Sequence, residues 1–198
     1  MSPADGGGWP ERSGRYVVPV PRLIHLNGPP AVGKSALARR WADAHSGTLL
    51  CDIDVLRTMI GGWETYDESA GLSRTGGLAL ITAHLRTGHD VVVPQFVGLP
   101  DQLERFRGAA EAAGASYVCV LLTAAADEVA RRFEVRDATA DPDDRWAAYV
   151  RAFWDGGGSD EVGSAIDRLD QMAEDAWIRL ESTTPDQTYA ALVAALDG

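Results

Sequence analysis

The segment Gly28-Pro29-Pro30-Ala31-Val32-Gly33-Lys34-Ser35 satisfies the pattern G-x-x-x-x-G-K-[S/T] in full. It constrains the fold more than any other stretch of this 198-residue chain. Such a loop works between a strand and a helix, where successive backbone N–H groups form a concave nest for phosphate at the helix N-terminus. Lys34 is the only lysine; every other member of the 18 lysine and arginine residues is an arginine. A compact ammonium bridges β- and γ-phosphates where the planar fork of a guanidinium does not fit. The hydroxyl of Ser35 supplies a ligand for Mg²⁺. Gly28 and residues Ala31, Val32, Gly33, Lys34, Ser35 and Ala36 are therefore expected to hold the phosphates of a nucleotide.

Neighbouring sequence supplies the setting. Residues 22–27 (RLIHLN) form a short apolar run suited to a buried strand, and 34–45 places Leu37, Ala38, Trp41 and Ala42 on one helical face. Residues 48–53 read as a second strand with Asp52 and Asp54 at its polar end, in a sheet whose interior holds Cys51 and Cys119 as small hydrophobes. An acidic, glycine-rich loop over 61–73 then leads to an amphipathic helix over 77–87. Further strands are expected at 90–95, 116–122 and 177–181, and helices at 100–113 and 125–136. A last helix opens at Thr184-Pro185-Asp186. Strands alternating with helices predict an α/β fold on a five-stranded parallel sheet. Helical stretches over 141–154 and 160–176, joined at Gly156-Gly157-Gly158, interrupt the alternation as an insertion.

At 45% hydrophobic and 24% charged, the chain is long enough for one α/β core and short for two. Residues 1–21, rich in glycine and proline, read as a flexible leader, and 22–198 as a single domain. A formal charge of −11 disfavours a broad grip on nucleic acid, while leaving room for a local basic cleft. No apolar run reaches the length needed to cross a bilayer, and no basic start precedes an apolar stretch, so a cytoplasmic location is expected. The four histidines show no metal-ligand spacing.

A phosphate loop specifies a nucleoside triphosphate and leaves the reaction open. Ligands of parallel sheets bind beyond the carboxyl ends of the strands, so Asp52 and Asp54 are expected in the same crevice as the loop. One carboxylate can serve the Mg²⁺ shell while the other accepts the proton of an attacking hydroxyl. Alternatively, both are caps at a strand-to-helix junction.

Residues 28–35 followed by Asp52-Ile53-Asp54-Val55-Leu56-Arg57 resemble the small P-loop kinases, the group of shikimate and gluconate kinases, chloramphenicol phosphotransferase and polynucleotide kinase. The resemblance spans most of residues 22–196 in element order, with residue-level matches confined to these motifs. It implies a three-layer P-loop NTPase fold, helices on both faces of the sheet and a helical lid over about 125–140 before the 141–176 insertion. It also implies ATP and Mg²⁺ as cofactors, Asp52 beside the metal, Asp54 as base or substrate anchor, and Arg57 as a substrate-side contact.

Arg132 and Arg136 lie four apart, hence on one helical face. Turned to the crevice they would neutralise a transferring γ-phosphoryl, as lid arginines do in the kinases this chain resembles; turned outward they would pair with Glu128 or Asp137. Residues 180–186 resemble the same group's turn near the adenine. One departure concerns the third strand, which many relatives end with an acidic residue. Here Val91-Val92-Val93 leads to Pro94-Gln95-Phe96. Gln95 brings no formal charge to Mg²⁺, and its amide would bind a metal-shell water or a substrate group.

The expected activity is an ATP-dependent phosphotransferase acting on a hydroxyl of a small molecule: an antibiotic, a sugar or a nucleoside-like metabolite. Trp146, Phe153 and Trp154 of the insertion serve either as core or as a pocket wall, and with Trp63 such a wall would suit an amphipathic acceptor. Net charge disfavours a polynucleotide 5′-hydroxyl. The rivals are a nucleotide-binding regulator whose lid engages a protein partner, and a hydrolase, for which no residue is placed to orient water. The sequence carries no signal of oligomeric state.

Overall fold

The computed structural model describes residues 19–139, 141, 143–153, 155 and 159–198. Strands β1 (Arg22–Asn27), β2 (Leu49–Leu50), β3 (Val91–Pro94), β4 (Ser116–Thr123) and β5 (Ile178–Glu181) pair in parallel in the order β2-β3-β1-β4-β5. Between and after them run α1 (Lys34–Ala44), α2 (Ile53–Thr58), α3 (Ser69–Leu85), α4 (Pro100–Ala112), α5 (Ala126–Thr139), α6 (Arg145–Phe153), α7 (Ser159–Met172) and α8 (Pro185–Asp197). The expected leader lies outside the described residues except for 19–21, as do Trp154 and the glycines at 156–158.

A central strand is buried on both faces, so its period of two divides its side chains between two cores. From β1, Leu23 joins Val91, Val93, Ile81, Leu85 and Phe106 under α3 and α4. Ile24 and Leu26 point the other way, with Val92, Val120, Trp41 of α1 and Leu192 of α8. Each of these buried side chains contributes roughly 1.5–3 kcal/mol of burial. Loss of either helical layer would expose one whole face of β1.

Two expected elements differ. The second strand is two residues long and stands at the sheet edge, because Asp52 ends it by capping α2. Asp52 Oδ1 accepts from the backbone N–H groups of Asp54 (3.1 Å) and Val55 (3.4 Å). Cys51 is buried just beyond the strand rather than within it, whereas Cys119 lies in β4. The helix expected from residue 77 begins at Ser69. Its buried stripe runs Ser69, Ser73, Gly77, Ile81, Leu85, so its first half is small and polar and carries no apolar signal. Small residues are needed there: a Cβ on Gly77 would come within 3.0 Å of Ile53 Cγ1 in α2.

Polar groups at the carboxyl ends of β1 and β3 tie the two strands together. Asn27, fully buried, accepts at Oδ1 from the N–H of Gly28 (2.9 Å) and of Val97 (3.0 Å), and donates from Nδ2 to the carbonyl of Val97 (3.0 Å). His25 is neutral, its pKa lowered to about 4 by burial. A carbonyl only accepts, so Nε2–H donates to the Gln95 carbonyl (2.8 Å) and Nδ1 accepts from the Tyr117 hydroxyl (2.7 Å). Among the described residues no helix is long and apolar enough to cross a membrane.

Asn27→Ala leaves the N–H and C=O of Val97 buried without partners. Urea unfolding should show a loss of about 2–4 kcal/mol; a loss below about 1 kcal/mol would show that the tie is dispensable.

Candidate active site

The loop between β1 and α1 has the backbone that phosphate binding needs. Gly28 (φ 147°) and Gly33 (φ 101°) lie in the region open mainly to glycine, and Ala31 adopts φ 58°, a left-handed conformation that costs a non-glycine residue about 1 kcal/mol or more. At Gly28 a Cβ would meet the Leu122 carbonyl oxygen at 2.6 Å, so no larger residue fits. The first turn of α1 has no side-chain cap and no acidic residue. Its orphan N–H groups and dipole are left for an anion. Ser35 and Ala36 are exposed in that turn.

Lys34 folds back, donating from Nζ to the carbonyls of Gly28 (2.9 Å) and Pro29 (2.8 Å). Desolvation lowers its pKa to about 8, against the attraction of Asp54 and Asp52 and with further lowering by Arg136. The loop lysine, both aspartates and the α5 arginine thus share one electrostatic neighbourhood. Asp54, in the first turn of α2, is half-buried. Burial, then Asp52, pushes its carboxyl above the ordinary aspartate value, while Lys34, the Gln95 amide and Arg57 act in the opposite sense. Asp52, Asp54 and Lys34 therefore lie within electrostatic reach of one another, with the Gln95 amide at Asp54 and Asp52 also capping α2.

Beside the loop opens a cavity of about 740 Å³. Ala31, Val32, Gly33, Ala36, Leu37 and Arg40 line one side, Ala124, Ala125, Glu128, Arg131 and Arg132 another, and residues 181–185 with Thr188 a third. The turn expected near an adenine is one wall of this cavity. Sequence reading missed Arg40 and the alanines that follow β4, and it expected backbone contacts from the turn, not the Ser182 hydroxyl that donates to the Val32 carbonyl at 2.7 Å.

The two lid arginines part company. Arg132 pairs with Glu128 and crosses to the β5–α8 turn, donating to Ser182 Oγ (2.7 Å) and to the carbonyls of Ser182 (2.9 Å) and Thr183 (3.0 Å). Arg131 and Arg132 together hold the Glu128 carboxyl down at about 2. The carbonyl acceptors of the turn hold this guanidinium on the cavity wall. Arg136 lies 4.9 Å from the Phe133 ring, and its charge acts on Lys34.

Arg57 is fixed in an aromatic corner. Its Nε donates to Ser69 Oγ (2.9 Å), and its guanidinium lies 4.8 Å from the Tyr149 ring centre and 5.8 Å from that of Trp63. Trp63 is buried, and with Trp146 and Tyr149 it forms ring pairs at 5.3–5.5 Å. Of the aromatic residues expected as core or pocket wall, Trp63 is buried and Trp146 half-buried against it, while the side chains of Phe153 and Trp154 lie outside the described residues.

A lysine that titrates near 8 gives nucleotide binding a pH dependence. Phosphates raise the pKa of Lys34, so binding takes up a proton above pH 8. In metal-free buffer, ATP affinity measured by calorimetry should be flat from pH 7 to 8 and then fall, approaching tenfold per pH unit. Lys34→Met should remove that fall, and an unchanged slope in the variant would contradict the assignment.

Among curated proteins, none matches this chain in sequence. Among solved structures, the gluconokinase from Sinorhizobium meliloti 1021 is similar at 20% identity and a TM-score of 0.58, covering 90% of this chain and 93% of that one. The Deinococcus radiodurans tunicamycin resistance protein is similar at 16% identity and 0.60, over 89% and 95%. The Mycobacterium tuberculosis APS kinase CysC, solved in complex with AMPPNP and APS, is similar at 17% and 0.57, over 91% and 99%. The fold is that of small P-loop kinases. A family model described as AAA domain matches residues 23–154, and the chain belongs to that family.

Proposed function

We propose that the protein transfers the γ-phosphoryl group of ATP to a hydroxyl of a small molecule. The observation that carries this reading is the half-buried carboxyl of Asp54, raised in pKa and electrostatically coupled to the lysine of a loop whose residues 31–33 line a cavity of about 740 Å³. A switch protein has no need of a proton acceptor there, whereas an alcohol must lose its proton as it attacks.

The roles follow from the residues. Backbone amides of the loop and Lys34 receive the β- and γ-phosphates, the ammonium exchanging two carbonyl partners for phosphate oxygens. Mg²⁺, when bound with ATP, would neutralise charge on the phosphates; Ser35 and Asp52 are the residues to hold it. Asp52 commits Oδ1 to the α2 cap. Both groups are oxygen donors, and no group of three or more His, Cys, Asp and Glu side chains among the described residues is arranged to hold a metal ion. Few protein ligands with phosphates and water completing the shell is the arrangement Mg²⁺ prefers.

The acceptor oxygen bonds to Pγ, the bond from Pγ to the oxygen of ADP breaks, and the hydroxyl proton passes to Asp54. Arg136 neutralises charge on the transferring group, while Arg132 fixes the wall against which the adenine packs. Gln95 and Arg57 border the acceptor side. The neighbours named for gluconate, APS and tunicamycin support a small-molecule acceptor and do not choose among classes.

Mass spectrometry of Mg-ATP incubated with antibiotics, sugars, sugar acids, nucleosides and a 5′-hydroxyl oligonucleotide should reveal one phosphorylated class, absent with Lys34→Ala. With that acceptor, Asp54→Asn should lower kcat by about 10²–10⁴-fold while leaving the Kd for ATP within about twofold. Full activity in Asp54→Asn would remove the base from the mechanism.

A further inference from the structure

Arg74 is a half-buried cation that makes no ion pair among the described residues. Its Nε has no solvent and no hydrogen-bond partner. Burial and then Arg105 lower its pKa, and the attraction of Asp54 and Asp101, neither close enough for an ion pair, does not offset them. The position is not remote. Arg74 stands one turn before Gly77 in α3, and Gly77 is seated on Ile53, the residue preceding Asp54. From α4, Arg105 reaches the same edge, its Nη2 3.5 Å from Thr75 Oγ1.

Gln95 is 8% exposed and its Oε1 is buried with no partner. Its amide side chain faces Asp54. Two buried atoms, a donor and an acceptor, both unsatisfied, therefore belong to side chains within electrostatic reach of the carboxylate assigned as base. Orphaned groups of this kind cost about 1–3 kcal/mol each and usually mark a missing partner. The other buried side-chain atoms without partners among the described residues, the indole N–H groups of Trp41 and Trp177, belong to residues of the two cores.

We propose that the acceptor alcohol carries an oxyanion, as a carboxylate, phosphate or sulfate group, received by Arg74 with Arg105, and that Gln95 Oε1 accepts a hydrogen bond from a second donor on the same molecule. This deepens the phosphotransferase reading and rests on it. Two like charges held together in an acidic chain repel each other until an anion lies between them. A planar or tetrahedral oxyanion matches the guanidinium fork. A neutral acceptor would leave the Arg74 Nε without a partner, so charge serves as the discriminator. Arg57, engaged with Ser69 and the aromatic corner, takes the uncharged side of the same molecule.

The first test needs no knowledge of the acceptor. With a non-hydrolysable Mg-ATP analogue saturating the phosphate loop, sulfate at about 100 mM, compared with chloride at equal ionic strength, should raise Tm by about 2–4 °C. Arg74→Gln should abolish that rise and Arg74→Lys should keep part of it. An equal rise in wild type and Arg74→Gln overturns the inference. The second test compares gluconate with glucose and glycerol 3-phosphate with glycerol as acceptors of phosphate from Mg-ATP. Product is expected from an anionic member, with KM raised about 30-fold by Arg74→Gln and kcat changed far less. Product from a neutral member, unaffected by Arg74→Gln, overturns the anion site and leaves the phosphotransferase standing. Sulfate stabilisation lost in Arg74→Gln, with no product from any alcohol in either panel, supports the anion site and overturns the phosphotransferase.

Discussion

The carboxamide of Asn27 joins the two segments on which the site is built. Through Oδ1 it holds the N–H of Gly28, where the phosphate loop departs, and through both ends it holds Val97, two residues past Gln95. His25 reinforces the tie by holding the Gln95 carbonyl from the preceding inward position of β1. With both groups buried and satisfied, the loop and the end of β3 move as one body. The distance from bound phosphate to the acceptor side is then set by the sheet and not by a flexible connection, as a reaction that depends on positioning requires.

Around that rigid frame the charges are unresolved. Lys34 is held below its ordinary pKa, Asp54 above its own, and Arg74 below. In each case desolvation is the largest cause, which means the fold withholds water from ionised groups that have incomplete partners. Such an arrangement lowers the stability of the free protein, and in the proposed reaction phosphates, metal and acceptor would supply the missing partners. The cavity behind the loop is the opposite kind of surface. It is lined largely by small and apolar side chains, and its polar wall, Arg132 with Ser182 and Thr183, is already hydrogen-bonded.

Much of this was legible in the chain because local chemistry and global fold agree there. Residues 22–35 carry an apolar strand, a glycine-rich turn and a helix start in succession, and β3, β4 and β5 stand near their expected bounds. Legibility failed where a side chain does two jobs or where packing is carried by small residues. Asp52 looked like the end of a strand because an apolar run precedes it, yet its cap geometry stops the strand at Leu50. The first half of α3 buries Ser69, Ser73 and Gly77, which read as loop, and Arg74 was hidden with them. Arg132 was correctly placed on a helix, but its partners at residues 182 and 183 are fifty positions away, and no helical spacing announces them.

The central claim is that the crevice delivers a phosphoryl group to an organic hydroxyl and not to water. ATP labelled with ¹⁸O at all γ-phosphoryl oxygens, incubated with Mg²⁺ and the acceptor panel in ordinary water, separates the two by mass. The account predicts a phosphate ester that keeps the labelled oxygens and gains its bridging oxygen from the alcohol. Labelled inorganic phosphate carrying one oxygen from water, with no ester from any acceptor, would contradict it and make the protein a nucleotide hydrolase or switch.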